Sequence, residues 1–582
     1  MSRNGVAGGI VAIVRDDSVV HLQGYGMADR ESSVAVHPHR TTFGLSSLSK
    51  VFTAIAVLRL AEQGRVSLDD AVHDRVPLAA LATERGRRVR IAHLLTHSGG
   101  FDERTIGISE RTTSNIVPLG DYLAAEMPAV IRAPGTVASY SNHGFALAGL
   151  LVERVAGEPF AEHVRRHILE PLGMRASGFG QPLPAELERA RAIPYRGGGL
   201  PPVPRIYFND APASALYSTG GDMARFMTAF LGDSSGSLGS VLRSSALVQT
   251  RQFSHHPALN GLTYGFRERR DRGVRGLQQG GDWDDYTSDL ILAPAERLGL
   301  FVALSGDGAS VIADSIWSFL LAKHVDDTAE DVSAADTTAA EAFGRDPRRE
   351  NVVGAYRLNR YSRHTLAKLG VLTGAIREVS VTTRDGRLEM AGQTLSPAGP
   401  DLYHRNGGSD VAFRFGADGR ATHLFTDGVP YVAYERIRWF ESRALHRALL
   451  GITFAILLGT LWRAAVRWPL SPARDDRSLA WWRRGMTAAG AGATWLVVGL
   501  AATMLVVPLN DFQYGTPSLV QVALAGGFLA VAGAITALGV AVATLARGGL
   551  PARVRIGRLA LSLVAVLFAV LVYYWRLAPL FA

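Results

Sequence analysis

The pattern of apolar and polar positions changes character twice along the chain. Up to about residue 322, short alternating runs are mixed with longer helical ones. Gly9-Ile-Val-Ala-Ile-Val-Arg15, the Asp16-Asp17 turn and Val19-Val-His-Leu-Gln-Gly-Tyr25 predict a strand, a tight turn and a second strand, so the chain starts inside a sheet. Phe43-Gly-Leu-Ser-Ser-Leu-Ser-Lys50 then opens a run, Val51 to Leu58, that stays uncharged until Arg59 and stops at Gly64. A helix of about four turns that is apolar on every side has to be buried. A short helix ended by paired glycines is expected within Ile91–Gly100, and further helices over Gly144–Val155, the stretch after Asp222 (read as its cap) and Val311–Leu321. Tyr286–Leu292 and Leu298–Ser305 read as strands.

From Val352 to Arg438 only short alternating runs with turns occur, as in Glu378–Met390 and Val411–Phe425, which predicts a small antiparallel β domain. It carries no catalytic pattern and reads as a structural or docking module. Residues 325–350, rich in Asp, Ala, Thr and Glu, read as a linker. Beyond about residue 445 the apolar runs become long: Ala448–Trp462, Gly485–Leu509, Leu519–Ala546 and Leu559–Trp575. The first is short for a span, but Arg447 and Arg463 at its ends can snorkel outward. The expected organisation is therefore residues 1–324, a linker at 325–350, a β-rich domain at 351–440 and four membrane spans within 441–582.

Charge and composition refine this picture. The net charge is +9, and eight of those charges fall in two Arg-rich stretches. Arg463, Arg467, Arg474, Arg477, Arg483 and Arg484 follow the first span, and Arg547, Arg553, Arg555 and Arg558 follow the third. Residues 510–518, between spans two and three, have no positive charge. Such asymmetry is a topology signal and gives no reason to expect nucleic acid. It predicts the Arg-rich stretches in the cytoplasm, with residues 1 to about 440 and the C-terminus outside. Export of a domain that size needs a signal, and none is legible after Met1, so a signal segment is expected upstream. The spans lack charged residues in their interiors, which argues against a transporter. With no cysteine, thiol catalysis, disulfides and thiolate metal sites are excluded.

Only three lysines occur in the chain: Lys50, Lys323 and Lys368. Arginine cannot give up its proton in a protein, so a lysine where the chain otherwise writes arginine is informative. Ser47 and Lys50 stand three apart and share a helix face. Burial and a helix N-terminus both disfavour the ammonium form, leaving an amine able to act as a base beside a hydroxyl. The same four letters arise by accident where a serine merely caps a core helix. Tyr140 and Asn142, in an extended stretch after Pro134-Gly135, point to one side by alternation. Gly280 and Gly281 leave room for a substrate at a strand edge, or mark a bulge. His93 and His97 are four apart but lack the Glu of His-Glu-x-x-His, so no metal is expected.

Taken together, Ser47-Leu-Ser-Lys50, Tyr140-Ser-Asn142 and the glycine pair at 280–281 resemble, in order and spacing, the serine β-lactamase and penicillin-binding-protein superfamily. Leu94-Leu-Thr-His-Ser-Gly-Gly100 and Ser218-Thr-Gly-Gly-Asp-Met-Ala-Arg225 resemble its class C branch. The resemblance covers residues 8 to about 322. It implies an α+β fold: an antiparallel sheet flanked by helices, a helical subdomain, and a site between them. An N-terminal helix usually precedes the first strand in relatives. The β domain and spans are similar to those of membrane-tethered members, including peptidases that remove an acylated D-amino-acid cap.

The resemblance also implies roles. Ser47 attacks a carbonyl and becomes acylated, Lys50 takes its proton, and Tyr140 passes a proton to the leaving group. Asn142 holds a substrate amide, and the N–H groups of Ser47 and Asp282 form the oxyanion hole. Gln279, Gly280 and Gly281 stand where relatives have Lys-Thr-Gly or His-x-Gly. Gln279 donates hydrogen bonds but carries no charge, which favours a neutral amide or ester over a carboxylate, unless Arg267, Arg269, Arg270 or Arg272 substitutes. The expectation is a membrane-anchored, extracytoplasmic serine hydrolase acting on a small molecule or peptide, with no cofactor and no metal. The alternative is a penicillin-binding sensor that acylates without turnover and signals through its spans.

Overall fold

The computed structural model describes residues 6–195, 201–232, 241, 245–324, 347–399, 401–406, 408–467, 477–547 and 550–578. The expected linker at 325–350 lies largely outside these residues. Two compact units result: one of Met1–Glu103, Ile108–Arg360 and Val379–Arg436, the other of Arg104–Gly107, Tyr361–Glu378 and Ile437–Ala582. The segment expected to be a self-contained β domain is thus divided between them.

In the first unit a seven-stranded antiparallel sheet is built from β1 (Gly8–Arg15), β2 (Ser18–Asp29), β3 (Val34–Ala35), β4 (Arg267–Asp271), β5 (Val274–Asp282), β6 (Thr287–Ala293) and β7 (Leu298–Leu304). Its order is β3-β2-β1-β7-β6-β5-β4, so the first strand lies inside the sheet, with Val11 opposite both Gln23 and Val302. Strand side chains alternate between faces. Val11 and Ile13 face a core with Ile291, Leu300, Val302 and Trp317, closed by the helix Ala309–His324. Ile10 faces the other side, against Gly220 of the helix Gly220–Leu231.

Helix α1 (Ser49–Glu62) is buried along almost its whole length, as its all-round apolarity requires, and Gly64 follows its end with a left-handed φ of 70°. Its start differs from expectation. Ser47 lies in a separate 3-10 turn, Ser46–Leu48, preceded by strand pairing of Phe43 and Gly44 with Ser218 and Tyr217. Ser46 holds a φ of 47°, sparsely allowed for a residue with a Cβ. Two other local readings change. Helix α2 begins at Asn142, with Ser141 turned to cap it by accepting from Gly144 N at 3.0 Å. The helix at Gly220 is capped by Thr219, because the Asp222 carboxylate is taken by Ala176 N, Ser177 Oγ and Arg225.

The β-rich segment closes into an eight-stranded barrel, its first strand (Gly354–Leu358) paired with its last (Ala433–Arg436). Closure removes the edges that an open sheet of this size would expose. Tyr356, Val381, Leu388, Tyr403, Val411 and Phe413 fill its interior.

The second unit contains four helices long and apolar enough to cross a membrane: Arg443–Arg467, Arg477–Val506, Ser518–Arg547 and Ala552–Tyr574. Each is longer than its apolar run, because the flanking arginines continue the helices. The second and third meet through small residues. A Cβ on Gly485, Gly492, Gly526 or Gly533 would collide with backbone of the facing helix. Close backbone approach is how apolar helices pack where lipid removes the hydrophobic drive. Leu366 and Val371 join the same core as Leu457, Phe568 and Trp575. Lys368 Nζ donates to Tyr574 O at 2.7 Å, Arg447 Nε to Leu372 O at 2.6 Å, and Gly107 N to Phe512 O at 3.3 Å. These contacts gather at the end of the bundle away from Arg477, Arg483, Arg547 and Arg555.

Gly492→Leu and Gly526→Leu should each destabilise the helical bundle by about 1–3 kcal/mol through overpacking. Gly539→Leu, with no atom within 4 Å of its Cβ position, should not. Melting of the detergent-solubilised full chain, followed by size-exclusion chromatography, checks both.

Candidate active site

The site grows out of the turn that starts α1. Ser47 is half-buried, whereas Ser46, Leu48, Ser49 and Lys50 around it are buried, so the hydroxyl is the part of the turn that reaches open space. Ser49 secures the turn: its Oγ donates to Ser46 O at 2.6 Å and accepts from Leu216 N at 2.9 Å. Lys50 is 1% exposed. Its Nζ lies 3.1 Å from Ser47 Oγ and donates to Ala213 O at 2.9 Å. Burial dominates and pulls the amine down to about 7; Asp210 and Glu103 oppose that fall, and Arg360 adds to it.

Tyr140 comes from the loop before α2. Its ring centre is 4.8 Å from Lys50 Nζ, and the His97 ring stacks on it at 4.4 Å. Burial pushes the phenol up to about 12, opposed by a side-chain hydrogen bond with Ser47 and by Arg360. Asn142 is 3% exposed, and its Oδ1 has no partner among the described residues. A buried, unpaired carbonyl oxygen is costly unless something fills it, so this one is poised to accept an N–H.

Strand β5 forms the opposite wall. Gln279 Nε2 donates to Ser47 O at 3.2 Å and to Gly280 O at 2.9 Å. The amide nitrogen is therefore committed to backbone and ties the strand to the serine turn. Gly281 is needed sterically, since a Cβ there would collide with Leu45 O. The ladder also fixes where Asp282 N–H points. Trp283 N donates to Tyr286 O at 3.1 Å, so Trp283 and Tyr286 are a hydrogen-bonded pair. Antiparallel pairs alternate, which leaves Asp282, opposite Thr287, with its N–H directed away from β6. On that side β4 has already ended, its pairing stopping at Gln278 opposite Arg267.

Ser47, Tyr140, Asn142, Gln279, Gly280, Gly281 and Asp282 all line one cavity of about 430 Å³, with Lys50 behind the serine. That volume is within the range of small-molecule sites. Of the four arginines considered, only Arg267 lines it; Arg269 pairs with Asp271 and Asp314. His93 and His97 do not form a pair. His93 Nδ1 accepts from Arg90 N, and His97 Nδ1 accepts from Ser141 N. Among the described residues one group of metal-ligating atoms converges, Glu158 with His163 and His167, and Arg166 also holds that carboxylate at 3.0 Å.

Three functional positions were not legible in the sequence. Asp210, fully buried beside Lys50, is pushed up to about 6 by burial, against the pull of the nearby amine. Arg360 and Tyr431 come from the barrel, which the sequence reads as a structural or docking module. Both line the cavity. Arg360 Cζ sits 4.6 Å from the Tyr140 ring centre, and its Nε pairs with Glu103 at 2.5 Å. Tyr140 N donates to Tyr431 O at 3.3 Å. Asn359 fixes this junction by donating from Nδ2 to Ala138 O at 3.0 Å and from its backbone N to Ala433 O at 2.8 Å. Arg132 adds an ion pair to Glu435 at 2.5 Å. No short-range motif announces any of these, because each acts across more than a hundred residues of chain.

A family model described as Beta-lactamase matches residues 1–322, more than half of the chain. PbpX of Bacillus subtilis (strain 168) is 27% identical over 232 residues, covering 38% of this chain and 54% of its own length. Protein flp of Staphylococcus aureus (strain MW2) is 25% identical over 307 residues, covering 52% of this chain and 60% of its own. The chain thus spans little more than half the length of these curated relatives. The solved structure of the octameric penicillin-binding protein homologue from Pyrococcus abyssi is 22% identical, covering 75% of this chain and 97% of that one, with a TM-score of 0.49. With the matched region extending over the sheet, the serine turn and the Tyr140 loop alike, the chain belongs to the beta-lactamase family.

Proposed function

We propose that this chain is a membrane-anchored serine hydrolase that cleaves an amide or ester through a Ser47 acyl-enzyme. The single observation that carries the reading is the Lys50 amine, buried and held near neutrality, 3.1 Å from the Ser47 hydroxyl. In the neutral amine one N–H stays on Ala213 O and the lone pair can take the serine proton. The Ser47 oxygen then attacks the substrate carbonyl, forming the C–O bond while the carbonyl becomes an oxyanion. The N–H groups of Ser47 and Asp282 are the donors for that oxyanion. Tyr140 carries a proton between the Lys50 side and the departing amine or alcohol, which leaves as the acyl-enzyme forms. Water attacks the ester in the second half, with the same groups in reverse.

Asn142 Oδ1 suits a substrate amide N–H. Because the Gln279 amide nitrogen is engaged with backbone, a neutral peptide or ester group is favoured at that wall. An extracytoplasmic catalytic domain is supported by the second unit. Segments 104–107 and 361–378, contributed by the chain that precedes the spans, pack at the end of the bundle away from the arginine-rich helix ends.

Incubating the full chain in detergent with a fluorophosphonate or a fluorescent penicillin should give a covalent label that Ser47→Ala abolishes. Hydrolytic release of the penicilloyl label supports the enzyme. A permanent penicilloyl adduct supports the sensor reading, the phosphonyl label being stable in either case, and absence of any Ser47-dependent label with both probes rejects a nucleophilic serine. The labelling rate should fall as pH drops through about 7, because protonation of Lys50 removes the base. Lys50→Ala should lower the rate by about a hundredfold or more above about pH 7, where the amine is free, and by less below it. A rate that is flat from about pH 5 to pH 9 would remove Lys50 from that role.

A further inference from the structure

We propose that Arg360, delivered by the barrel onto the Tyr140 ring, is the positioning cation of the hydrolase site, so that the barrel is an integral part of the catalytic apparatus. This rests on the serine-hydrolase reading above and extends it to a second domain.

The geometry carries the argument. The Arg360 guanidinium lies 4.6 Å from the centre of the ring that also has Lys50 Nζ at 4.8 Å. Its side chain keeps 36% of its surface open, and it lines the cavity with Ser47. A planar, permanently charged guanidinium is suited to stack on an aromatic face. Its placement is not left to a mobile side chain. Asn359, the residue before it, is tied to both Ala138 and Ala433, and Glu103 holds Nε. Gln279, which carries no charge and has its amide nitrogen committed to backbone, supplies no such cation.

The groups facing Lys50 and Tyr140 define what this charge does. Asp210, its carboxyl pushed up to about 6 by burial, and Glu103 favour the protonated amine; His97 is held neutral by burial; Tyr140 and Tyr431 are neutral phenols. Arg360 is the cation set against the two carboxylates. It favours the free amine on Lys50, and it favours proton release by Tyr140. Because arginine stays charged throughout, this bias is constant while Lys50 titrates. Glu103 moderates it.

The test measures kcat/KM for p-nitrophenyl acetate against pH, using the full chain in detergent, with Ser47→Ala as the blank. In Arg360→Gln the acid limb should move to higher pH by about one unit, since loss of a neighbouring positive charge raises the Lys50 pKa. The rate at about pH 6 should therefore fall about tenfold more than the rate at about pH 9. Arg360→Lys should keep the wild-type midpoint more closely, and Glu103→Gln should move it the opposite way. A uniform loss at every pH in Arg360→Gln, or no change, overturns the proposal and makes Arg360 a packing residue. Should Arg360→Gln fail to fold, an unshifted Glu103→Gln profile overturns it equally. Absence of Ser47-dependent hydrolysis and labelling in the wild type is a separate result: it rejects the underlying reading and this one with it.

Discussion

An amine without water around it is the constraint on which the first unit turns. Lys50 lies at the start of a helix that is apolar on all sides, so the helix must be buried and takes the lysine with it. Desolvation then makes the charged form expensive. A bare buried ammonium would be strongly destabilising, and the surroundings soften that cost without abolishing it. Ala213 O and Ser47 Oγ supply hydrogen bonds, while Asp210 supplies an opposing charge from the loop behind. The result is an amine balanced near neutrality, next to the one hydroxyl of its turn that faces open space.

Much of the remaining architecture keeps this pair in register. The short pairing of Phe43 and Gly44 with Ser218 and Tyr217 holds the turn from one side. From the other side Gln279 Nε2 and Ser288 Oγ reach Ser47 O and Leu45 O. Gly281 has no side chain because the Leu45 carbonyl occupies the space. The Tyr140 loop is braced from outside the hydrolase fold altogether, by Asn359, Tyr431 and the Arg132–Glu435 pair. Barrel closure, which joins the first strand to the last, is what brings Asn359 and Arg360 beside Ala433 and Tyr431.

What could be read from the sequence was what depends on short separations or on a familiar order of motifs. Ser47 and Lys50 are three apart, and the 3-10 turn that runs into α1 brings them together. Burial of α1 followed from its apolarity. Tyr140, Asn142 and the glycines of β5 became legible through a shared spacing, and all of them line the one cavity. Local chemistry misled in several places. Asp222 looked like a cap, but its carboxylate is drawn to Ala176 and Ser177 from a distant loop, leaving the cap to Thr219. The four long apolar helices outran their apolar cores because helix formation does not stop at an arginine. Asp210, Arg360 and Tyr431 were beyond reach, since their roles depend on tertiary neighbours that no period or motif encodes.

The chain passes between its two units at residues 103, 107, 360, 378 and 436. No single cut therefore yields either unit intact. A soluble fragment ending near residue 436 would strip Leu366 and Val371 of the helices they pack against, leaving greasy surface in a loop that starts one residue after Arg360. Anyone seeking a crystallisable ectodomain would do better to replace segments 104–107 and 361–378 with short polar bridges than to truncate. By the same reasoning, a protease that nicks the boundary at 436 would not set the first unit free as a native particle.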